Sequence, residues 1–382
     1  MFKKKRIAVL GATGSIGRSS IDIISRSAGN KANINFEIVL LSAKSSCSQL
    51  EELSRQFPSA SCVLTERDGM DKLLSLLAEL RPDITINGIA GAAGLQPSLA
   101  AIESGSDLAL ANKETIVMAG ELVMRSAKEK NINIIPVDSE HSAIFQLLRR
   151  VESKNINETV SEIILTASGG PFKNLSFNEM EKATVKEALC HPTWNMGPKI
   201  TIDSASMANK GLEIIEACCL FNLSPDKIKV VIHPQSIIHS MIRLCNGVIY
   251  AQMSKPDMRH PVHDALYWPD TVPSSLEPIN FDSLSLEFHK PDIEKFPMLS
   301  LAWTSAKKGG LYPCAYNAAN EIAAAAFLSE KIKFTDIPRI TEHVLKSDWT
   351  GDCMSLEAIM QTDTDARKKA KSFLNRLNTC VV

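Results

Sequence analysis

The chain has 382 residues, of which 45% are hydrophobic and 22% charged, and its formal net charge is −1 at pH 7. These values are typical of a globular protein with two or three domains, and they exclude the strongly basic surface of a nucleic-acid-binding protein. No apolar run approaches the ~18 residues of a membrane span, so we expect neither nucleic acid nor a membrane as a partner.

The N-terminus, from Met1 to Arg6, is basic and leads directly into a short apolar segment at residues 7–10. A signal peptide needs a longer apolar run and a small-residue cleavage site, and the Ser- and Arg-rich extension of a transit peptide is absent as well. The nine cysteines are scattered and form no Cys-x-x-Cys pair, which argues against a zinc ribbon or a redox dithiol. We therefore expect reduced, mostly buried thiols in a cytoplasmic protein.

Up to about residue 135 the sequence alternates between strands and helices. Apolar strands that alternate with helices indicate a parallel sheet covered on both faces, so the fold class is α/β with an N-terminal Rossmann-like domain at residues 1–137. The pattern predicts strands at 6–10, 36–42, 61–64, 84–87, 107–109 and 134–137, a turn at 11–17, and helices at 19–26, 49–57, 70–79, 96–103 and 118–130.

The turn after the first strand carries glycines at positions 11, 14 and 17. Glycines at this place let the backbone turn tightly and approach a pyrophosphate, and the helix behind them offers free N–H groups. A G-x-x-G-x-x-G spacing directly after an apolar strand therefore predicts a dinucleotide site. The alternative is a structural turn without a ligand.

The end of the second strand indicates which dinucleotide binds. An NAD enzyme usually places an acidic residue there to hold the ribose 2′-hydroxyl. This chain instead has Ala43, Lys44 and Ser45, and the lysine and the hydroxyl could accept a 2′-phosphate. We therefore expect NADP rather than NAD, the alternative being that Lys44 is an ordinary surface lysine.

The pattern changes after residue 137. Strands predicted at 162–167, 229–233, 240–244 and 247–253 form a second sheet, and Asn246-Gly247 fits a tight hairpin. We expect a second α/β domain with a lid loop at residues 138–270, a Pro- and Ser-rich linker at 271–291, and a mainly helical domain at 292–382, with helices at 317–329 and 365–377.

Two carboxylates stand two positions apart after the strand at 134–137. Asp138 and Glu140 face the same way in an extended chain, at the strand end where ligands bind in open α/β sheets. Two close carboxylates repel each other unless one is protonated or a cation lies between them. Oxygen ligands suit Mg²⁺ or Mn²⁺; the alternative is a helix cap before a helix at 141–150.

Three further segments are rich in groups that bind anions. Ser204, Asn209 and Lys210 are the kinds of donors that hold a phosphate, and Glu213 follows Lys210 by about one helical turn. An ordinary helix start is the alternative for this stretch. The segment 166–172 ends a strand with Ser168 and two glycines, and 191–198 is bounded by prolines and a glycine, as a lid loop would be.

Taken together, these segments closely resemble the 1-deoxy-D-xylulose 5-phosphate reductoisomerase family. The resemblance covers nearly the whole chain and depends on the order of the motifs rather than on any one of them. Besides the glycine turn, they are Ala109-Leu110-Ala111-Asn112-Lys113-Glu114, Asp138-Ser139-Glu140-His141, Ser168-Gly169-Gly170-Pro171-Phe172, His191-Pro192, Asn209-Lys210-Gly211-Leu212-Glu213 and His233-Pro234-Gln235-Ser236.

The resemblance implies an enzyme that converts 1-deoxy-D-xylulose 5-phosphate to 2-C-methyl-D-erythritol 4-phosphate in non-mevalonate isoprenoid precursor biosynthesis. The reaction would be a retro-aldol and aldol rearrangement followed by hydride reduction, with NADPH and Mg²⁺, Mn²⁺ or Co²⁺. The group that accepts the proton of the C4 hydroxyl is left open between metal-bound water and Glu140. The family also implies a homodimer, with residues 138–270 as the catalytic and dimerisation domain and residues 292–382 as a C-terminal helical bundle, and inhibition by fosmidomycin-type compounds.

The resemblance also implies roles for individual residues. The metal ligands would be Asp138, Glu140 and Glu213. The catalytic and substrate-binding residues would be Lys113, Ser139, Glu140, Ser168, His191, Ser204, Asn209, Lys210 and Glu213, and the lid residues Trp194 and Met196. The cofactor would contact Thr13, Gly14, Ser15, Ile16, Ala43, Lys44, Ser45, Asn112, Glu114 and Gly197.

Two other functions are compatible with the glycine turn alone. An ordinary NADP-dependent dehydrogenase would need no cluster of Asp138, Glu140 and Glu213, and its activity would survive EDTA. A nicotinamide-sensing regulatory protein would turn over no sugar phosphate. The density of acidic and phosphate-binding groups argues against both.

Overall fold

The computed structural model describes residues 3–27, 34–151, 155–194 and 196–379. The chain forms two compact units. The first comprises Met1–Thr115, Val123–Phe145 and Asp257–Pro278, and the second Ile116–Leu122, Gln146–Pro256 and Ile279–Val382. The four-part domain division given above stays a prediction.

The strands and helices have the following bounds. The strands are β1 (Lys3–Leu10), β2 (Ile34–Ala43), β3 (Ser61–Leu64), β4 (Ile84–Asn87), β5 (Asp107–Leu110), β6 (Ile134–Pro136), β7 (Val160–Ala167), β8 (Ile228–Ile232), β9 (Ile238–Leu244) and β10 (Ile249–Met253). The helices are α1 (Ser15–Arg26), α2 (Cys47–Gln56), α3 (Thr65–Asp68), α4 (Met70–Leu80), α5 (Leu95–Glu103), α6 (Lys113–Lys130), α7 (Ser139–Arg149), α8 (Ile156–Thr159), α9 (Phe177–Glu181), α10 (Val185–Ala188), α11 (Pro198–Ala205), α12 (Ala208–Leu220), α13 (Arg259–Tyr267), α14 (Pro297–Lys308), α15 (Tyr312–Leu328), α16 (Asp336–Leu345) and α17 (Leu356–Thr379).

The first unit is built on a six-stranded sheet with the strand order β3-β2-β1-β4-β5-β6. All of its neighbouring strands run parallel. The order reverses between β1 and β4, and ligands of doubly wound sheets bind at the carboxyl ends of the strands at such a reversal. The predicted α/β class and parallel sheet are confirmed, and the glycine turn lies at the place where this fold binds nucleotides.

Both faces of this sheet are buried by apolar side chains. On β1, Ile7 and Val9 belong to a cluster that includes side chains of α1 and α13. Ala8 and Leu10 point to the opposite face and pack with Leu73 and Leu77 of α4, among others. Successive residues of a strand alternate between faces, so a continuous apolar strand is what a sheet covered on both sides requires.

Helices α1 and α6 begin at least four residues earlier than the pattern predicts. Helix α1 starts at Ser15 rather than residue 19, so the last part of the expected turn is already helical. Helix α6 starts at Lys113 rather than residue 118, and Ala119 inside it has a non-helical backbone (φ −140°, ψ 30°). This break separates the first turns of α6 from the later ones. The apolar periodicity of the sequence predicts only the helical turns after the break.

The second unit contains a four-stranded sheet with the order β10-β9-β7-β8. Strands β7 and β8 are parallel, whereas β9 runs antiparallel to both β7 and β10. The hairpin between β9 and β10 closes through a bond from the Leu244 N–H to the Val248 carbonyl (2.8 Å). Gly247 has φ +87°, a conformation that favours glycine. The predicted second sheet and its hairpin are confirmed.

The remainder of the second unit is mainly helical, as predicted, but α15 begins at Tyr312 rather than at residue 317 and α17 begins at Leu356 rather than at residue 365. Helix α15 packs against α14, α16 and α17, and α14 also packs against α12. Residues 271–291 form no regular element apart from an isolated bridge between His289 and Ile232. The low periodicity of this segment therefore corresponds to a stretch of irregular backbone.

Two other expectations can be compared with the described residues. None of their helices is long and apolar enough to cross a membrane. The cysteines are less buried than expected, since Cys314 is buried while Cys190 and Cys245 are exposed and the other described ones are intermediate. The expectation of mostly buried thiols is therefore wrong; scattered single cysteines carry no periodicity that would report burial.

Candidate active site

The glycine turn in the first unit is packed too tightly for side chains. Gly11 has φ +74°, and a Cβ there would lie 2.8 Å from the Gly88 carbonyl oxygen. A Cβ on Gly17 would lie 2.4 Å from the Cα of Ala12. The turn is fixed by hydrogen bonds from the Ala12 N–H to the Ser42 carbonyl (2.7 Å) and from the Gly88 N–H to the Leu10 carbonyl (2.9 Å). The glycines at 11 and 17 thus allow the turn to pack closely against the backbone that follows β1 and β4.

The N-terminus of α1 faces outward from this turn. Gly14 occupies the N-cap position and has no side chain to cap the helix. Gly14 and Ser15 are exposed, and Thr13 and Ile16 are half-buried. An uncapped helix N-terminus with a positive dipole end is a ready site for a phosphate group. The predicted turn residues therefore occupy suitable positions for a dinucleotide pyrophosphate.

Two of the residues predicted to bind the 2′-phosphate, Lys44 and Ser45, directly follow β2 and are exposed. Ala43 is buried in the strand, and Ser45 is exposed. The Lys44 side chain is 82% exposed, and its ammonium lies 3.8 Å from a Glu66 oxygen. An exposed pair at this distance is weak, so the Lys44 side chain is available to a ligand.

Two of the predicted cofactor residues are buried within the first unit. The Asn112 side chain caps α6 by accepting the Thr115 N–H (2.9 Å), and its amide donates to the carbonyls of Ile89 (2.6 Å) and Gly91 (2.9 Å). The same amide lies 3.1 Å from the Glu114 carboxylate. Asn112 therefore shapes the loop that follows β4, at the reversal of strand order.

The predicted acidic residues of the first unit belong to a network of charges. The Asp138 carboxylate lies 2.7 Å from the Lys113 ammonium and 3.3 Å from Nδ1 of His141. Burial by itself would raise the pKa of Asp138, but the charge of Lys113 and the bond to His141 outweigh it and hold that pKa well below its usual range. Ser139 donates to the Glu140 carboxylate (2.5 Å). The side chain of Asp138 thus stays ionised and can bind a cation.

His141 is not among the site residues predicted above. It is fully buried on the first turn of α7, and its ring contacts Asp138 three residues earlier. The sequence signals for it are its place in the motif Asp138-Ser139-Glu140-His141 and this spacing of three, which brings side chains together on a helix.

In the second unit, the loop after β7 brings three predicted residues close together. Gly169 and Gly170 have φ +87° and +66°, and a Cβ on Gly170 would lie 2.7 Å from the Ser204 carbonyl oxygen. The Ser168 hydroxyl lies 3.1 Å from Nε2 of His191. The two glycines therefore let this loop pass directly against the end of α11, which carries Ser204.

Hydrogen bonds assign the tautomer of His191. Its Nδ1 accepts the backbone N–H groups of Thr193 (3.1 Å) and Trp194 (2.9 Å), so the ring proton is on Nε2. Burial lowers the pKa of His191, which favours the neutral ring. His191 therefore presents an N–H donor beside the hydroxyl of Ser168.

The predicted lid residues follow His191 directly. Trp194 and Met196 are half-buried, and Asn195 lies outside the described residues. The Trp194 and His239 rings are 6.4 Å apart between centroids. The exposed Gly197 occupies the N-cap position of α11, so the lid segment leads straight into the helix that carries Ser204.

Helix α12 joins the predicted phosphate-binding residues to the third acidic residue. Glu213 is fully buried, and Lys210 is 4% exposed. One carboxylate oxygen of Glu213 accepts the Asn209 amide (2.6 Å), and the other is paired with the Lys210 ammonium. Buried charges are costly unless paired, so the two groups expected to bind ligand charges neutralise each other here.

Models of one protein family match most of the chain. The model described as 1-deoxy-D-xylulose 5-phosphate reductoisomerase matches residues 7–82 and 66–120. The model of the 1-deoxy-D-xylulose 5-phosphate reductoisomerase C-terminal domain matches residues 134–221, and that of the DXP reductoisomerase C-terminal domain matches 253–369.

Full-length relatives have the same description. The chain is 46% identical to the 1-deoxy-D-xylulose 5-phosphate reductoisomerase of Treponema denticola, with 98% of this chain and 99% of the relative covered. It is 43% identical to that of Pelodictyon phaeoclathratiforme, with 97% and 100% covered. It is also similar to a crystal structure of DOX-P reductoisomerase in complex with NADPH, fosmidomycin and magnesium (TM-score 0.90, 37% identity, 98% and 99% covered). The enzyme from Zymomonas mobilis in complex with NADPH has a TM-score of 0.86 and 39% identity, with 97% and 99% covered.

Proposed function

This chain belongs to the 1-deoxy-D-xylulose 5-phosphate reductoisomerase family, and we propose that the residues described above form the active site for the reaction of that family. The reaction converts 1-deoxy-D-xylulose 5-phosphate to 2-C-methyl-D-erythritol 4-phosphate, on the route to isoprenoid precursors, with NADPH and a divalent metal ion. The observation that carries the assignment is the 46% identity over 98% of the chain.

Asp138, Glu140 and Glu213 are assigned as the metal ligands. Of the described residues, these three carboxylates make up the candidate group for a metal ion. Their all-oxygen donor set suits Mg²⁺ or Mn²⁺. The retained charge of Asp138 and the buried position of Glu213 support the assignment, because a cation stabilises carboxylates in such surroundings.

The phosphate of the substrate is assigned to Ser168, Ser204, Asn209 and Lys210. The donor types fit a phosphate, which takes charge-assisted hydrogen bonds from lysine and further bonds from hydroxyl and amide groups. The close approach of the Ser168 loop to Ser204 supports a shared role. Lys113, Ser139 and His191 are assigned to the rest of the substrate.

NADPH is assigned to the glycine turn and to the segment after β2. Gly11 and Gly17 allow the tight turn at the end of β1, since a Cβ at either position would collide with backbone atoms, and the uncapped N-terminus of α1 that follows the turn suits a pyrophosphate. Lys44 and Ser45 are assigned to the 2′-phosphate. Thr13, Gly14, Ser15 and Ile16 contact the cofactor directly in this proposal, whereas Asn112 and Glu114 shape the adjoining loop and Gly197 closes the site.

The metal ion supplies Lewis acidity towards the substrate oxygens, and NADPH supplies the hydride. The protein side chains bind and orient the reacting groups around that chemistry. Nε2–H of His191 and the Lys113 ammonium donate hydrogen bonds to substrate oxygens, and the Ser139 hydroxyl fixes the orientation of Glu140. Trp194 and Met196 cover the substrate and exclude water, which keeps the rearranging fragments together.

Oxidation of NADPH by the purified full-length chain tests this function. With 1-deoxy-D-xylulose 5-phosphate and Mg²⁺ or Mn²⁺ we expect turnover, loss of turnover with EDTA, and recovery when metal is added back. With NADH in place of NADPH, kcat/KM should fall by about tenfold or more, because a charged hydrogen bond to the 2′-phosphate contributes roughly 1.5–3 kcal/mol. NADPH oxidation that is unaffected by EDTA, or a product other than 2-C-methyl-D-erythritol 4-phosphate by mass spectrometry, would contradict the proposal.

We assign fosmidomycin and a second copy of the chain as further partners. A crystal structure of a related reductoisomerase contains fosmidomycin and magnesium, and the acidic residues of this chain suit the same inhibitor–metal arrangement. For dimerisation, strand β10 is an edge of its sheet. Its residues Ile249 and Tyr250 are 42% and 47% exposed, and Val248 immediately before it is 46% exposed. Exposed apolar edge strands favour pairing with another strand.

Light scattering of the purified chain tests the dimer. We expect a particle of twice the mass of one chain, and we expect the double change Ile249→Lys and Tyr250→Lys to shift it towards the monomer, since charges on an edge strand oppose pairing. The matched control is Lys229→Gln, an exposed position on β8 at the other edge of the same sheet. A monomeric wild-type chain at micromolar concentration would refute the dimer.

A further inference from the structure

Asp203 is a buried carboxylate to which the proposed reaction gives no role. It is 1% exposed and lies on α11 immediately before Ser204. Its carboxylate lies 2.7 Å from the Lys199 ammonium, one turn earlier on the same helix. A buried carboxylate costs free energy unless it is paired and hydrogen-bonded, so its position next to a phosphate-binding serine calls for a functional explanation.

The second partner of Asp203 comes from a distant part of the sequence. The Asn320 amide on α15 donates to the Asp203 carboxylate (2.8 Å). Asn320 is fully buried, and its own carbonyl oxygen has no hydrogen-bond partner among the described residues. Leaving a buried acceptor unsatisfied costs free energy. The hydrogen bond to Asp203 is thus a link between α15 and α11.

The same helix also holds α12 in place. A Cβ on Gly211 would lie 2.4 Å from the Tyr316 hydroxyl and 2.9 Å from Ala302. Tyr316 lies on α15 one turn before Asn320, is fully buried, and donates to the Met298 carbonyl (3.2 Å). Gly211 thus lets α12 pack directly on α15, and α12 carries Asn209, Lys210 and Glu213.

We propose that the hydrogen bond between Asp203 and Asn320, here called the anchor pair, is a positioning device for substrate phosphate. Through it α15 fixes α11 and Ser204, while the contact of Tyr316 with Gly211 fixes α12 and Lys210. The phosphate site is thereby assembled on a helix that contributes none of its ligands. This inference depends on the proposed function, because it assigns a role in the binding of the substrate of that function.

The variant Asn320→Leu removes the donor of the anchor pair while keeping the side-chain size. We expect KM for 1-deoxy-D-xylulose 5-phosphate to rise about tenfold or more, since displacement of a binding group by about an ångström can cost as much as a hundredfold. We expect kcat and KM for NADPH to change by less than about threefold, because the anchor pair contacts no residue assigned to the cofactor. Inorganic phosphate should also become a weaker competitive inhibitor.

A matched control separates positioning from general stability. Asn317 lies one turn earlier on α15, is also fully buried, and donates to Glu321 rather than to α11. Asn317→Leu should lower the melting temperature to a similar degree as Asn320→Leu while KM for the sugar phosphate stays near the wild-type value. Equal KM values in the two variants would overturn the proposal.

An exchange of the two partners gives a second, independent test. Asn320→Asp places two carboxylates against each other and should raise KM strongly, and adding Asp203→Asn restores an amide–carboxylate hydrogen bond with the roles reversed. The double variant should recover at least part of the substrate affinity. If Asn320→Leu fails to fold, the comparison of Asn320→Asp with the double variant tests the proposal instead. A double variant whose KM is no better than that of Asn320→Asp would refute the positioning role of the anchor pair. A wild-type chain without metal-dependent turnover would instead refute the proposed function itself.

Discussion

Replacing Glu213 by glutamine is expected to abolish turnover while leaving NADPH binding intact. The change keeps the size and the hydrogen-bonding oxygen of the side chain but removes its negative charge. In the proposed site this charge is one of three that hold the metal ion, and Lewis-acid stabilisation by a bound metal amounts to several kcal/mol. A loss of about 4 kcal/mol corresponds to about a thousandfold decrease in kcat.

The measurement combines steady-state kinetics with a titration of NADPH binding by fluorescence. Glu213→Gln should bind NADPH with unchanged affinity, because neither Glu213 nor its partners Asn209 and Lys210 are assigned to the cofactor. Glu216→Gln is the matched control, since Glu216 lies one turn later on the same helix and is also buried at 1% exposure. Near-normal activity in Glu213→Gln, or equal losses in both variants, would disprove the proposed ligand set.

Replacing Lys210 by methionine is expected to weaken both substrate binding and the fold. Methionine fills a similar volume but cannot donate to a phosphate, and charged hydrogen bonds contribute roughly 1.5–3 kcal/mol each. KM for the sugar phosphate should therefore rise by about tenfold to a hundredfold. The change also leaves the buried Glu213 carboxylate without the ammonium that it is paired with, and breaking a buried pair costs about 3–5 kcal/mol.

The second effect can be separated from the first by a double variant. Chemical denaturation should show that Lys210→Met lowers the free energy of unfolding, and that adding Glu213→Gln restores part of it because the uncompensated charge is gone. Lys229→Met, at an exposed position on β8, serves as the control for loss of a surface lysine and should change neither quantity. A Lys210→Met protein as stable as the wild type would mean that the pair is not a significant source of stability.

The sequence was sufficient to predict the sheet of the first unit because its pattern is local. Strands β3 and β4 have the predicted bounds since each is a short apolar run enclosed by polar or turn-forming residues. Helix α1 begins earlier than predicted because glycines 14 and 17 are typical of a turn. Helix α6 begins earlier than predicted because it starts directly after the Asn112 cap and is interrupted at Ala119. Capping and interruption depend on backbone geometry, which periodicity does not report.

The ligand-binding side chains of the site can be predicted from the sequence, whereas the long-range contacts that hold them in place cannot. Carboxylates, serines and lysines with typical spacings indicate metal and phosphate binding wherever the chain folds. The pairing of Lys113 with Asp138 and the bond between Asp203 and Asn320 join residues that are distant in sequence, 117 positions apart in the second case. No local pattern contains such a contact, because it arises only when helices pack.

The pairing of Lys210 with Glu213 has a thermodynamic consequence for ligand binding. An anion that engages the Lys210 ammonium draws it away from Glu213 and leaves that carboxylate ready for a cation, while a cation at Glu213 releases Lys210 in the same way. Given the assigned roles, the substrate phosphate and the metal ion therefore bind with positive cooperativity, and by linkage each increases the affinity for the other by the same factor. A single ion pair on one helix thus couples the binding of the two ligands.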